Sequence, residues 1–99
     1  MSGLTIAQQD AIVDAVAEAL RRQGRPATAQ HDMSGAYIIS PGEAGAEYCA
    51  GFNDSPTWTV NVIDAAGYLI DDRNTWVAAD CPDPDFIAAA IAAAIRRTA

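Results

Sequence analysis

The chain has no lysine among its 99 residues, one histidine, two cysteines and seven aromatic side chains, and each shortage removes a class of function. Six arginines stand against 13 acids for a net charge of −7, so the clustered cations that grip a phosphate backbone or anionic lipid are missing. No nucleic acid and no membrane surface is therefore expected as a partner. No apolar run reaches the roughly 18 residues that cross a bilayer. The alanine-rich stretch from Phe86 to Ile95 is too short and ends in Arg96 and Arg97. Gln8, Gln9, Asp10 and Asp14 interrupt the apolar start that a secretory signal needs, which makes a cytoplasmic protein with reduced thiols the expectation. Whether Cys49 and Cys81 bond depends on a Cα separation that the sequence does not contain.

Motifs for chemistry are scarce too. Gly42 and Gly45 lie between expected strands, without the following helix whose N-terminus would bind phosphate. His31 sits beside Asp32 in a polar segment, and adjacent loop residues seldom face each other as an acid-base pair must. Cys49 falls in an expected strand, where a small buried hydrophobe is the ordinary role of a free cysteine. Asp71, Asp72, Asp80, Asp83 and Asp85 do not follow the spacing of a calcium loop, and Asp83 is explained as a helix cap. No catalytic residue, cofactor or metal is expected.

Alanine is what the chain has in excess. It supplies 22 of the residues in a hydrophobic fraction of 51%, leaving 28 larger apolar or thiol side chains, enough for one modest core and one domain over residues 1–99. Abundant Ala and Arg without Lys is the usage expected of a high-GC bacterial genome, actinobacterial or phage. Charge is uneven: residues 26–79 hold seven acids against Arg73 alone, a local excess of −6. Such an excess keeps a small protein in solution or meets a basic partner.

Thr5 followed three residues later by Gln8 is a capping box, and Ile6, Val13, Val16 and Leu20, widened by Ile12 and Ala17, recur at helical spacing. Gly24 and Pro26 end that helix, which is expected over about 6–23. Residues 25–34 show neither period and are expected to form a loop. Ala36 to Ser40 and Glu47 to Phe52 are candidate strands joined by a type II turn at Pro41 and Gly42, and residues 53–56 are a further loop. Thr57 to Asp64 alternates Trp58, Val60 and Val62 against Thr57, Thr59 and Asn61, the strongest strand pattern present. Asp64 to Gly67 fits a type I turn with a glycine bulge, after which Tyr68 to Asp71 pairs back. Across Asp72 to Asn74 an interruption is expected, making Thr75 to Ala78 a separate short strand rather than a continuation past a bulge. Asp83 caps a second helix with Pro84 at its first position, Ile87, Ile91 and Ile95 in one row, and an end at the arginine pair.

The order predicts an α+β, two-layer fold: an antiparallel meander of three to five strands, flanked in sequence by N-terminal and C-terminal helices packed on one face. Ile38, Ile63 and Leu69 alternate with the residues assigned to the core, so they are expected on the sheet's open face, covered by residues 25–34, by the segment around Trp76, or by a partner. Trp58 is expected in the core. Trp76 fits either the core or a contact surface with Tyr68, Asp71, Asp72 and Arg73, because aromatic rings beside charges are common binding hot spots. The expected function is a non-enzymatic protein-interaction module of adaptor, inhibitor or immunity type, with an acidic face or edge for a basic protein. A homodimer through the open face or the alanine-rich helix is the first alternative. A small enzyme or metal binder using His31 or the aspartates is the second.

Overall fold

The computed structural model describes residues 4–33, 35–52 and 55–97. Two helices and five strands follow in the order α1 (Ile6–Arg22), β1 (Thr28–Asp32), β2 (Gly35–Pro41), β3 (Glu47–Gly51), β4 (Thr57–Ile63), β5 (Leu69–Ala78) and α2 (Pro84–Arg96). The strands form one antiparallel meander in sequence order, with β1 and β5 as its edges. Both helices pack on the same face, giving the two-layer α+β architecture.

Local chemistry sets the helix ends. The Gln8 amide N–H donates to Thr5 Oγ1 at 3.1 Å and the Thr5 N–H to Gln8 Oε1 at 2.8 Å, the reciprocal pair of a capping box. At the other end the Arg25 N–H reaches Leu20 O at 2.9 Å and the Gly24 N–H reaches Arg21 O at 3.1 Å. This Schellman closure needs the positive φ of 94° that Gly24 adopts. Asp83 Oδ1 accepts from the Asp85 and Phe86 amides at 3.1 and 3.2 Å and starts α2. Val13, Val16, Ala17 and Leu20 of α1 meet Ile87, Ala88, Ile91 and Ala94 of α2 in one core over Ile38, Ala50, Trp58 and Val60 of the sheet. Ile6, in the first turn of α1, is 78% exposed and stands outside that core.

The sheet departs from expectation in four places. Residues 28–32 are a strand, not a loop. Thr28 to Asp32 pair with Ile39 to Gly35, and only Ala29 is partly buried, so backbone pairing with β2 makes this edge strand without an apolar period. The β2–β3 connection is longer than a type II turn. Gly42 lies at φ −111° in extended backbone, its N–H donates to Ala46 O at 2.8 Å, and the positive φ falls on Ala44 and Gly45. Gly42 is needed for closeness instead: a Cβ there would lie 3.0 Å from Tyr48 Cε2 and 3.2 Å from Ala46 O.

Third, β5 continues past Asp72 to Asn74 instead of breaking. Its pairing with β4 slips between Thr57/Thr59 and between Val62/Ile63, so two bulges absorb the irregularity. Fourth, Ile38 points to the helices and is buried, while Tyr37 and Ile39 take the opposite face. Apolar residues stand at both parities of β2, so the strand alone did not reveal its face; alignment with Ala50 and Val60 does. The Asp64–Gly67 turn forms as expected, with Gly67 N–H on Asp64 O at 2.9 Å, Gly67 at φ 91°, and Asp64 Oδ1 taking the Ala66 and Tyr68 amides. In the 53–56 segment, Asn53 and Asp54 lie outside the described residues.

Candidate interaction surface

Strand register defines the sheet face turned away from the helices. One row across it runs Thr28, Ile39, Cys49, Asn61, Asp72, and a neighbouring row runs Pro41, Glu47, Ile63, Leu69. On the other side lie Tyr37, Gly51, Thr59 and Asn74, and Asp32 stands at the corner, accepting from Tyr37 Oη at 3.1 Å. Tyr37, Ile39, Cys49 and Ile63 are partly exposed and Leu69 is 59% exposed, so no described segment covers this face. Its charges are all of one sign: Asp32, Glu47 and Asp72.

The arginines explain that asymmetry, because tertiary contacts hold five of the six on the helix side or at its rim. Arg21 Nη1 donates to Ala27 O at 2.8 Å, and Arg22 pairs with Asp85 at 3.0 Å. Arg25 donates to Ser40 Oγ at 3.0 Å with its guanidinium 5.8 Å from the Tyr48 ring centre, and Arg97 donates to Asn74 O at 3.4 Å. Arg73 lies on the helix face of β5 opposite Val60. Its Nη1 donates to Ala94 O and Ile95 O at 2.9 and 3.0 Å, and its Nε to Asp71 Oδ2 at 2.7 Å.

The expected contact residues therefore divide. Asp72, Ile63 and Leu69 lie on the open face, and Tyr68 and Trp76 are exposed. Ile38 belongs to the core, and Asp71 and Arg73 form an ion pair that closes the end of α2. Tyr37 and Ile39 join the face without having been foreseen; cross-strand register was the signal that could have placed them. The Asp71 carboxyl is held below the usual carboxylate range by the Arg73 hydrogen bond first and by the Asp72 amide second.

The edge beside this face carries large apolar groups on irregular backbone. Tyr68, Leu69 and Ile70 are three consecutive exposed residues at the start of β5, and Ile70 is the extra residue of the bulge between Asp71 and Leu69. Trp76 is 78% exposed and adopts a φ of 62°. A bulky side chain in the left-handed region costs about 1–3 kcal/mol and persists only where its surroundings impose it. Here they do. The Trp76 N–H is taken by Asn74 Oδ1 at 2.7 Å, the Val77 N–H by Thr75 Oγ1 at 3.1 Å, and Thr75 Oγ1 donates to Trp58 O at 2.7 Å.

His31 does not act with Asp32. It reaches α1, with Nε2 2.9 Å from Asp14 Oδ1 and Nδ1 3.2 Å from Asp10 Oδ1. Cys49 and Cys81 are free thiols, and burial first, then Glu47, pushes the Cys49 thiol up, away from the reactive thiolate. Among the described residues no three His, Cys, Asp or Glu side chains are grouped to hold a metal ion. Among them, too, no helix is long and apolar enough to cross a membrane. No family model, no curated protein and no solved structure matches this chain.

Proposed function

We propose that the chain is a non-enzymatic protein-interaction module that presents the open face of its sheet, with the β5 edge, to a basic protein. One observation carries this reading: a five-stranded face on which Asp32, Glu47 and Asp72 are interspersed with Tyr37, Ile39, Ile63 and Leu69, with no arginine. Uncovered apolar groups interleaved with acids give a mixed contact surface, and the shared sign of the acids selects a cationic partner and speeds encounter with it. The imposed backbone at Trp76 supports extending the surface to the edge, since strained residues concentrate where proteins bind.

Self-association is the weaker alternative. Two copies of this face would bring Asp32, Glu47 and Asp72 into a second set of acids, and like charges across an interface oppose it.

Affinity capture from a lysate of the organism that encodes the chain, at low ionic strength, is expected to recover one stoichiometric basic protein. The complex should dissociate near 0.5 M salt, where screening shortens to roughly 4 Å. A paired Ile39→Thr, Ile63→Thr variant, which keeps β-branched side chains at two partly exposed strand positions, should lose that protein with only a modest fall in thermal midpoint. Recovery of no partner, together with a strictly monomeric mass by light scattering across a concentration series, would end both the hetero-partner and the dimer readings. Equal capture by the paired variant would move the contact elsewhere on the chain.

A further inference from the structure

We propose that His31 is a proton-operated latch that clamps the free end of edge strand β1 to helix α1, and that this end of the β1–β2 hairpin loosens when the ring loses its proton. The inference does not depend on the identity of any partner. It starts from donor arithmetic. Both ring nitrogens lie within hydrogen-bond reach of carboxylate oxygens, Nε2 at 2.9 Å from Asp14 and Nδ1 at 3.2 Å from Asp10. A neutral imidazole has one N–H and a carboxylate has none, so only the doubly protonated ring satisfies both contacts. In the neutral ring, one nitrogen lone pair would face an anionic oxygen.

Asp10 and Asp14 are one helical turn apart on α1, which places the two oxygens along one side of the helix, with His31 spanning them. The remaining surroundings do not offset these charges. From β2 the ring's register partner is Ala36, the Asp32 carboxylate is on the other face with Tyr37 Oη, and Glu18 one turn beyond Asp14 lies 3.9 Å from Arg22. The His31 pKa is accordingly raised above 6.5, by the Asp14 hydrogen bond first and the Asp10 bond second, with partial desolvation opposing. A raised folded-state value means that the latch contributes fully below the unfolded value and is lost as pH rises through the folded one.

The strand it holds has few other ties to the helices. Four of the five β1 residues are exposed, and Ala29 alone is partly buried. Just before the strand, Arg21 Nη1 donates to Ala27 O at 2.8 Å, a contact in which the His31 proton has no part. The strand is thus pinned permanently near Ala27 and reversibly at His31. Loss of the second tie frees the hairpin end and uncovers the outer edge of β2.

The test is amide exchange by NMR on the full chain between pH 5.5 and 9, corrected for intrinsic base catalysis, with the His31 ring protons followed in the same samples. The corrected exchange of those amides among Gln30, His31 and Asp32 that bond to β2 is expected to rise roughly threefold across the ring's own titration, a size set by two half-exposed charged hydrogen bonds. Amides of α2 should show no step. His31→Gln should remove the step, and the paired Asp10→Asn, Asp14→Asn variant should remove it while returning the ring pKa toward its ordinary value. Flat β1 protection through the wild-type titration, the same step in His31→Gln, or a ring pKa at or below 6.5 would each overturn the proposal.

Discussion

Replacing Trp58 with alanine is expected to destabilise the domain by about 3–5 kcal/mol, the range for emptying a fully buried aromatic site. Trp58 has no exposed surface, and its ring centre lies 4.9 Å from that of Phe52 at a tilt of 58°. It is the second residue of β4 and belongs to the cluster formed with both helices, so a cavity there withdraws contacts from each layer at once. A domain of this size has about 5–10 kcal/mol of margin in all. Urea titration at constant m should therefore show a midpoint shifted by half or more, or a chain already unfolded at 37 °C. Trp58→Phe separates packing from polarity. The indole Nε1 is buried with no hydrogen-bond partner among the described residues, and an unsatisfied buried donor costs about 1–3 kcal/mol. Phenylalanine removes that donor while leaving a smaller void, so its loss should be about 1 kcal/mol or less. Equal losses for the two variants would mean that the ring's fill is not what Trp58 supplies.

The second large effect is expected from Arg73→Ala, at about 2–4 kcal/mol. The arginine side chain is only 16% exposed and spans from the Asp71 carboxylate to the last-turn carbonyls of α2. Last-turn carbonyls run short of intrahelical donors, the Arg97 N–H reaching Ala94 O at 3.3 Å, and a cation there also opposes the negative end of the helix dipole. Alanine removes one donor from each carbonyl and from the Asp71 carboxylate, which keeps the Asp72 N–H at 2.9 Å. Hydrogen exchange at the C-terminal turn of α2 should accelerate with the fall in melting temperature, which for a chain this long is roughly 10–20 °C. Arg73→Lys should recover part of the loss, since an ammonium lacks the fork that serves carboxylate and carbonyls together. The acid side gives an independent check. Asp71 has a lowered pKa, so its contribution is present above the unfolded value of 3.8 and is lost as pH falls through the lower folded one. In Arg73→Ala that acid-dependent step should shrink. An unchanged melting temperature in Arg73→Ala would show that α2 closes without it.

The same arginine bears on function. A cation in the middle of an edge strand would, on the open face, neutralise the acids beside it. Turned inward, it completes α2 and leaves Asp72 on the outer surface with Leu69 and Ile63. The sheet thus separates charge by alternation: the helix side holds the ion pair, and the far side keeps its acids.

Much of the fold was legible because it rests on chemistry between neighbours in the chain. The Thr5–Gln8 box, the Gly24 closure, the Asp83–Pro84 start and the Asp64–Gly67 turn each need only residues within six positions, and all four formed as their sequences indicate. The alternation in β4 likewise named its own buried set, Trp58, Val60 and Val62. What the tertiary structure alone decided were matters of pairing across distance. Thr28 to Asp32 became a strand because β2 offered an edge, and Ile38 rather than Ile39 turned inward because of its alignment with Ala50 and Val60. His31 met Asp10 and Asp14 rather than Asp32, and Arg73 became the closure of a helix 21 residues away. Capping and turn energies are local, so the sequence carries them openly. The side of a sheet on which a residue lies, and the charge it meets there, depend on register with strands and helices far along the chain, and that was settled only when the two layers packed.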